Sequence, residues 1–66
     1  MTKTEVKNYL KEMNDRCRIV DWDWDLWKEH KIVAVIMISK NHIAYRASYW
    51  LFDERLKIIP GSTHCM

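Results

Sequence analysis

The sequence predicts an α+β domain, one N-terminal helix packed on an antiparallel sheet of three or four strands. Three observations carry that expectation. Val6, Tyr9, Leu10 and Met13 recur at helical spacing near the start. Ile32 to Ile38 is an unbroken apolar run of seven residues, β-branched in the main and too short for a buried helix. The segments on either side of that run alternate polar with apolar residues or concentrate aromatic ones, as strands do. With 66 residues the chain is expected to form one small domain over residues 1–60, followed by a polar, mobile tail over 61–66.

Each element has its own local cause. Thr2 and Glu5 stand at capping-box spacing, so each side chain can satisfy a backbone amide of the first helical turn. Lys3, Lys7 and Lys11 line a second face of this helix, and Asn14-Asp15 ends the pattern. From Cys17 a strand is expected, with Val20, Trp22 and Trp24 on one side and Ile19, Asp21, Asp23 and Asp25 on the other. A single helical turn over 25–30 fits the order of acids before bases there. Lys40-Asn41 is expected to turn the chain, because Asn tolerates the left-handed backbone of tight turns. The segment 43–52 then returns as a strand on its Ile, Tyr, Trp and Phe content. A helix over 44–56 is the competing reading, since Ala44, Ala47, Ser48 and Leu51 also fall in a stripe. Asp53-Glu54 leads into a short last strand from Arg55 to Ile59, which Pro60-Gly61 stops.

A two-residue turn places Ile38 opposite Ile43, and that register divides the sheet. Ile32, Ala34, Ile36 and Ile38 then share an apolar face with Ile43, Tyr45, Ala47, Tyr49 and Leu51, and the helix covers it. The other face carries Val33, Val35 and Met37 beside Ala44, Arg46, Ser48, Trp50 and Phe52. One helix cannot cover both faces, so the second is expected to meet another protein or a second copy of the chain. A slip of one residue exchanges the faces.

Composition excludes several classes of function. The chain is 48% hydrophobic and 30% charged, which suits a folded domain. A net charge of +2 is of the wrong sign for a DNA mimic and too small to imply nucleic acid or a membrane by itself. No apolar run approaches the roughly 20 residues a bilayer requires, and the first residues lack the apolar segment of a secretory leader. Cys17 and Cys65 are expected as free thiols, and the location as cytoplasmic.

The chemistry-bearing residues are sparse. Asp21, Asp23 and Asp25 have the spacing that opens a calcium loop, but Leu26 and Ile32 stand where such a loop needs Gly and Glu. On a strand these carboxylates lie about 6.6 Å apart, too wide for one cage. The three histidines and two cysteines lack zinc-ligand spacing. With one glycine there is no phosphate-cradling loop. Lys40, His42 and Arg46 at a hairpin tip are the only set suited to metal-free phosphodiester cleavage, and they make a weaker case than a binding role. No enzyme activity, cofactor or metal is therefore expected.

The leading expectation is a small protein-binding module, an inhibitor or accessory protein of the kind phages and mobile elements carry against host or defence proteins. Met37, Arg46, Trp50 and Phe52 would form its hot spot, with Asp21 and Asp23 steering approach from the rim. The alternative is a module for RNA or single-stranded nucleic acid, using Lys3, Lys7, Lys11, Lys40 and Arg46 with the sheet aromatics as stacking platforms.

Overall fold

Thr2 starts the first helix, α1 (Lys3–Met13), through the reciprocal capping box. The Glu5 amide donates to Thr2 Oγ1 at 3.2 Å and the Thr2 amide to Glu5 Oε1 at 3.1 Å, so amides left without helical partners are satisfied. Val6 and Leu10 are fully buried, whereas Tyr9 and Met13 remain 39% and 46% exposed; the contact stripe is narrower than the periodicity implies. At the far end the Asn14 side chain donates through Nδ2 to the Leu10 carbonyl and to the Tyr49 hydroxyl, at 3.0 and 3.2 Å. Tyr49 is buried, so this contact satisfies its hydroxyl and ties the end of α1 to the sheet.

The computed structural model describes all 66 residues. After α1 come β1 (Cys17–Asp23), a one-turn helix α2 (Trp27–His30), β2 (Ile32–Ser39), β3 (Ala44–Phe52), β4 (Arg55–Ile58) and β5 (His64–Cys65). The strands run antiparallel in the order β1-β2-β3-β4, and β5 pairs with the start of β3. This is the predicted α+β class, with 44–52 a strand and not a helix. Lys31 ends α2 in the left-handed conformation. The stretch 61–66, expected as a free tail, contributes β5. Ser62 bridges the gap beside β3, accepting from the Ser48 amide at 3.1 Å and donating to the Ile59 carbonyl at 2.6 Å.

The two hairpins differ in one residue, and that residue decides the faces. Asp53 and Glu54, at φ 52° and 62°, form the two-residue turn whose twist matches the flanking strands. Between β2 and β3 the loop has three residues, Lys40-Asn41-His42. The Ser39 amide donates to the Ile43 carbonyl at 2.9 Å and the His42 amide to the Ser39 carbonyl at 3.0 Å, while His42 takes φ 62°, the left-handed closing residue of such loops. Ile38 therefore pairs with Ala44 and not with Ile43. The added loop residue slips β2 by one position against β3, and every β2 side chain changes face. Val33, Val35 and Met37 point into the core. Met37, expected in the open-face hot spot, is instead 5% exposed and opposite Tyr45.

A second irregularity lies in β1, where the register shifts between Ile19 and Asp21. The bulge at Val20 puts Ile19 on the same side as Trp22, which strict alternation forbids. Ile19, Trp22 and Trp24 pack against the core, and Val20, expected to share the tryptophan face, is 44% exposed. Val6, Leu10 and Trp27 close over Val33, Val35, Met37, Ala47, Tyr49 and Leu56 to complete the core. Cys17 and Cys65 are free thiols, and no helix is long and apolar enough to cross a membrane.

Candidate functional site

α1 covers one face of the sheet and no helix covers the other. Strand pairing arranges the uncovered face in rows. One runs Arg18, Ile38, Ala44; the next Asp21, Ile36, Arg46, His64; the third Asp23, Ala34, Ser48. A fourth runs Ile32, Trp50, Lys57, and Phe52 with Arg55 closes the face. Trp50 and Phe52, 43% and 49% exposed, lie with ring centroids 4.9 Å apart. Lys57 Nζ sits 5.2 Å from the Phe52 ring centre, a cation over the negative face of the ring. Asp23, Leu26, Ile32, Ala34, Arg46 and Ser48 surround a dimple of about 60 Å³, far below ligand-pocket size but able to take the tip of one side chain.

No Lys or Arg pairs with a carboxylate on this face; the one close contact of this kind in the chain, His30 Nε2 with Glu29 Oε2 at 3.9 Å, lies elsewhere and is an ion pair only when His30 is protonated. The Asp21 carboxylate accepts from the Trp22 amide at 2.9 Å and that of Asp23 from the Asp25 amide at 3.0 Å. Asp21 and Asp23 hold the β1 edge, Lys57 and Arg55 the β4 edge, and Arg46 stands between. Of the residues expected in the docking set, Arg46, Trp50, Phe52, Asp21 and Asp23 thus share one face, and Met37 does not. Ile32, Ile36 and Ile38 take its place, half-buried, with Ile32 opposite Trp50 and Ile36 and Ile38 further along β2 opposite Arg46 and Ala44. Their role was hidden because the Lys40-Asn41-His42 string looks like a two-residue turn with one flanking residue; a His tolerates φ > 0 more readily than most side chains, and that was the available signal.

The alternative set is divided among three places. Lys3 and Lys7 lie over the rings of Trp24 and Trp22 at 5.4 and 6.0 Å, on the covered side. Trp22 stacks on Trp24 at 5.7 Å and Trp24 meets Trp27 edge-on at 5.4 Å, so these lysine stems roof an aromatic ladder. Lys11 belongs to the same helix, while Arg46 faces the other way. Lys40 is at the end of the sheet. There it lines two overlapping open clefts of about 420 and 430 Å³, shared with Arg16, Cys17 and Ser39; Asp15, Arg18, Ile38 and His42 complete the first. No group of three or more His, Cys, Asp or Glu side chains is placed to hold a metal ion. Glu5 is held below its ordinary range by the hydrogen bonds with Thr2.

Comparison with known proteins yields no match, whether to a family model, a curated protein or a solved structure.

Proposed function

We propose that the chain is a non-enzymatic protein-binding module that docks its partner on the open sheet face. Arg46, Trp50 and Phe52 are the anchors, Ile32, Ile36 and Ile38 the apolar floor, and Asp21 and Asp23 the rim. The observation that carries this reading is the pair of adjacent aromatic rings held about half exposed at the Ile32 end of the apolar β2 strip. Contiguous apolar patches of this kind mark interaction sites, and aromatic and Arg side chains dominate the energy of interfaces. Such a surface acts by occluding what it covers or by building an assembly, the two effects open to an inhibitor or accessory protein.

A second reading draws on the end cleft, where Arg16, Arg18 and Lys40 outnumber a single carboxylate, Asp15; a predominantly cationic groove concentrates the field that attracts a phosphate backbone. Capture experiments with tagged protein, in parallel with and without nuclease, separate the two. A protein retained after nuclease, and lost with Trp50→Ala, supports docking on the face. Retention that vanishes with nuclease, and weakens steeply with salt, supports nucleic acid at the cleft.

A further inference from the structure

The open face is acidic at one edge, basic at the other and apolar between. We propose that its occupant is a second copy of the chain, in a two-fold dimer whose axis lies between the facing sheets and runs along the strands. This inference rests on the docking reading above and names the partner.

The geometry follows from the rows. Rotation about an axis parallel to the strands lays β1 of one copy over the partner's β4–β5 edge and β2 over the partner's β3, and it keeps each row at its own height. Asp21 shares a row with Arg46 and His64, so it comes to rest over the partner's His64, beside the partner's Arg46. Asp23 lies one row from Arg46 and one row from Lys57. Each step is about 7 Å along a strand, within the reach of either long side chain. Arg18 is the exception on the acidic edge; its own row, through Ile38 and Ala44, holds no cation, and it lies one row from the partner's Arg46, a like-charge approach that Asp21, in the same row as Arg46, outweighs by standing nearer. In the middle, Ile36 and Ile32 oppose the partner's Arg46 and Trp50, and the aromatic pair is buried.

The other in-plane axis, perpendicular to the strands, lays β1 over β1 and sets Asp21 and Asp23 against themselves, which like charges disfavour. Electrostatics therefore selects one of the two face-to-face arrangements. The contact is isologous and closes at two chains, with no route to a fibre. Sheets packed in this way stay within about 30° of alignment, which preserves the rows.

The interface is small. Strands about 4.8 Å apart with about 3.4 Å per residue give roughly 500 Å² of footprint per copy. The total lies at the low end for specific interfaces, so the dimer is expected to be reversible in the micromolar range.

The test is sedimentation equilibrium on the full chain, from low to high micromolar concentration. Wild type is expected to pass from monomer to dimer, with a dissociation constant that rises several-fold from low to high salt as the edge charges are screened. Two variants alter only side chains on the open face: Asp21→Lys with Asp23→Lys, and Arg46→Glu with Lys57→Glu. Each alone sets like charges together at both contacts of the two-fold and is expected to stay monomeric. An equimolar mixture restores opposite charges at both contacts and is expected to dimerise. Far-UV spectra establish that the variants fold; should one unfold, the salt response of wild type carries the test. A wild-type chain monomeric throughout, a dimer indifferent to salt, a variant that dimerises alone, or a mixture that does not, overturns the proposal. A monomer that still captures a nuclease-resistant protein through Trp50 overturns the second-copy inference and leaves the docking reading standing, whereas a monomer that captures nothing overturns both.

Discussion

Two neighbouring residues of β2 test the register that defines the open face. Met37 is 5% exposed on the core face between Ile19 of β1 and Tyr45 of β3, and Ile36 stands half-buried on the opposite face between Asp21 and Arg46. Truncation of Met37 to Ala leaves a cavity beside Ile19, Val35 and Tyr45 that these side chains fill poorly, a loss of about 3 kcal/mol within the range for such core changes. Truncation of Ile36 to Ala removes methyl groups already in part exposed to water, worth about 1 kcal/mol. A domain of this length has a total stability of roughly 3–10 kcal/mol, so the first loss is a large fraction and the second is not. In urea unfolding at low protein concentration, the midpoint is expected to fall far more for Met37→Ala than for Ile36→Ala, with slopes unchanged. Melting temperatures should drop by about 12–24 °C and about 4–8 °C. Equal losses, or a larger loss at Ile36, would restore the two-residue turn and move Ile32, Ile36 and Ile38 into the core.

Three further outcomes are expected. Thr2→Ala removes the cap of α1 and lowers stability by about 1 kcal/mol, measured by urea unfolding at neutral pH. Because the Thr2 hydrogen bonds hold Glu5 below its ordinary value of 4.5, their stabilisation is complete above that pH and is lost as pH falls through the folded value; the stability of wild type should decline relative to Glu5→Gln only on that acid side, and parallel curves would contradict the linkage. His42→Gly frees a left-handed residue from its Cβ cost, less the added freedom of the unfolded chain, and should raise stability by about 0.5–1 kcal/mol; a lower midpoint would count against the three-residue loop.

Much of this architecture was legible in the sequence, for physical reasons that can be named. The capping box, the strand content of 44–52 and the Asp53-Glu54 turn are local signals, and local signals survive translation into structure. The faces of β3 were legible too, because its alternation is regular. The faces of β2 were not. Ile32 to Ile38 is apolar at every position, so its pattern holds no period that marks one side, and its orientation is inherited from the length of the neighbouring loop. That length turned on whether His42 belongs to the turn or the strand. The Val20 bulge escaped for a similar reason, since Ile19, Val20 and Trp22 all suit a core face. Met37 was misplaced by the same single-residue slip, whereas Arg46, Trp50 and Phe52 were not, because the slip turns β2 over and leaves the alternation of β3 as it was. His64 entered the face only through β5, a two-residue strand that composition does not signal.

On the proposed reading the uncovered face, and not the lysine-bearing helix, meets the partner. The most direct measurement is capture by tagged protein after nuclease treatment, comparing wild type, Trp50→Ala and Lys3→Ala with Lys7→Ala, with far-UV spectra recorded on each. Trp50→Ala is expected to keep its native spectrum and lose the captured protein, while the lysine variant retains it. Undiminished capture by Trp50→Ala, or loss in the lysine variant alone, would contradict it.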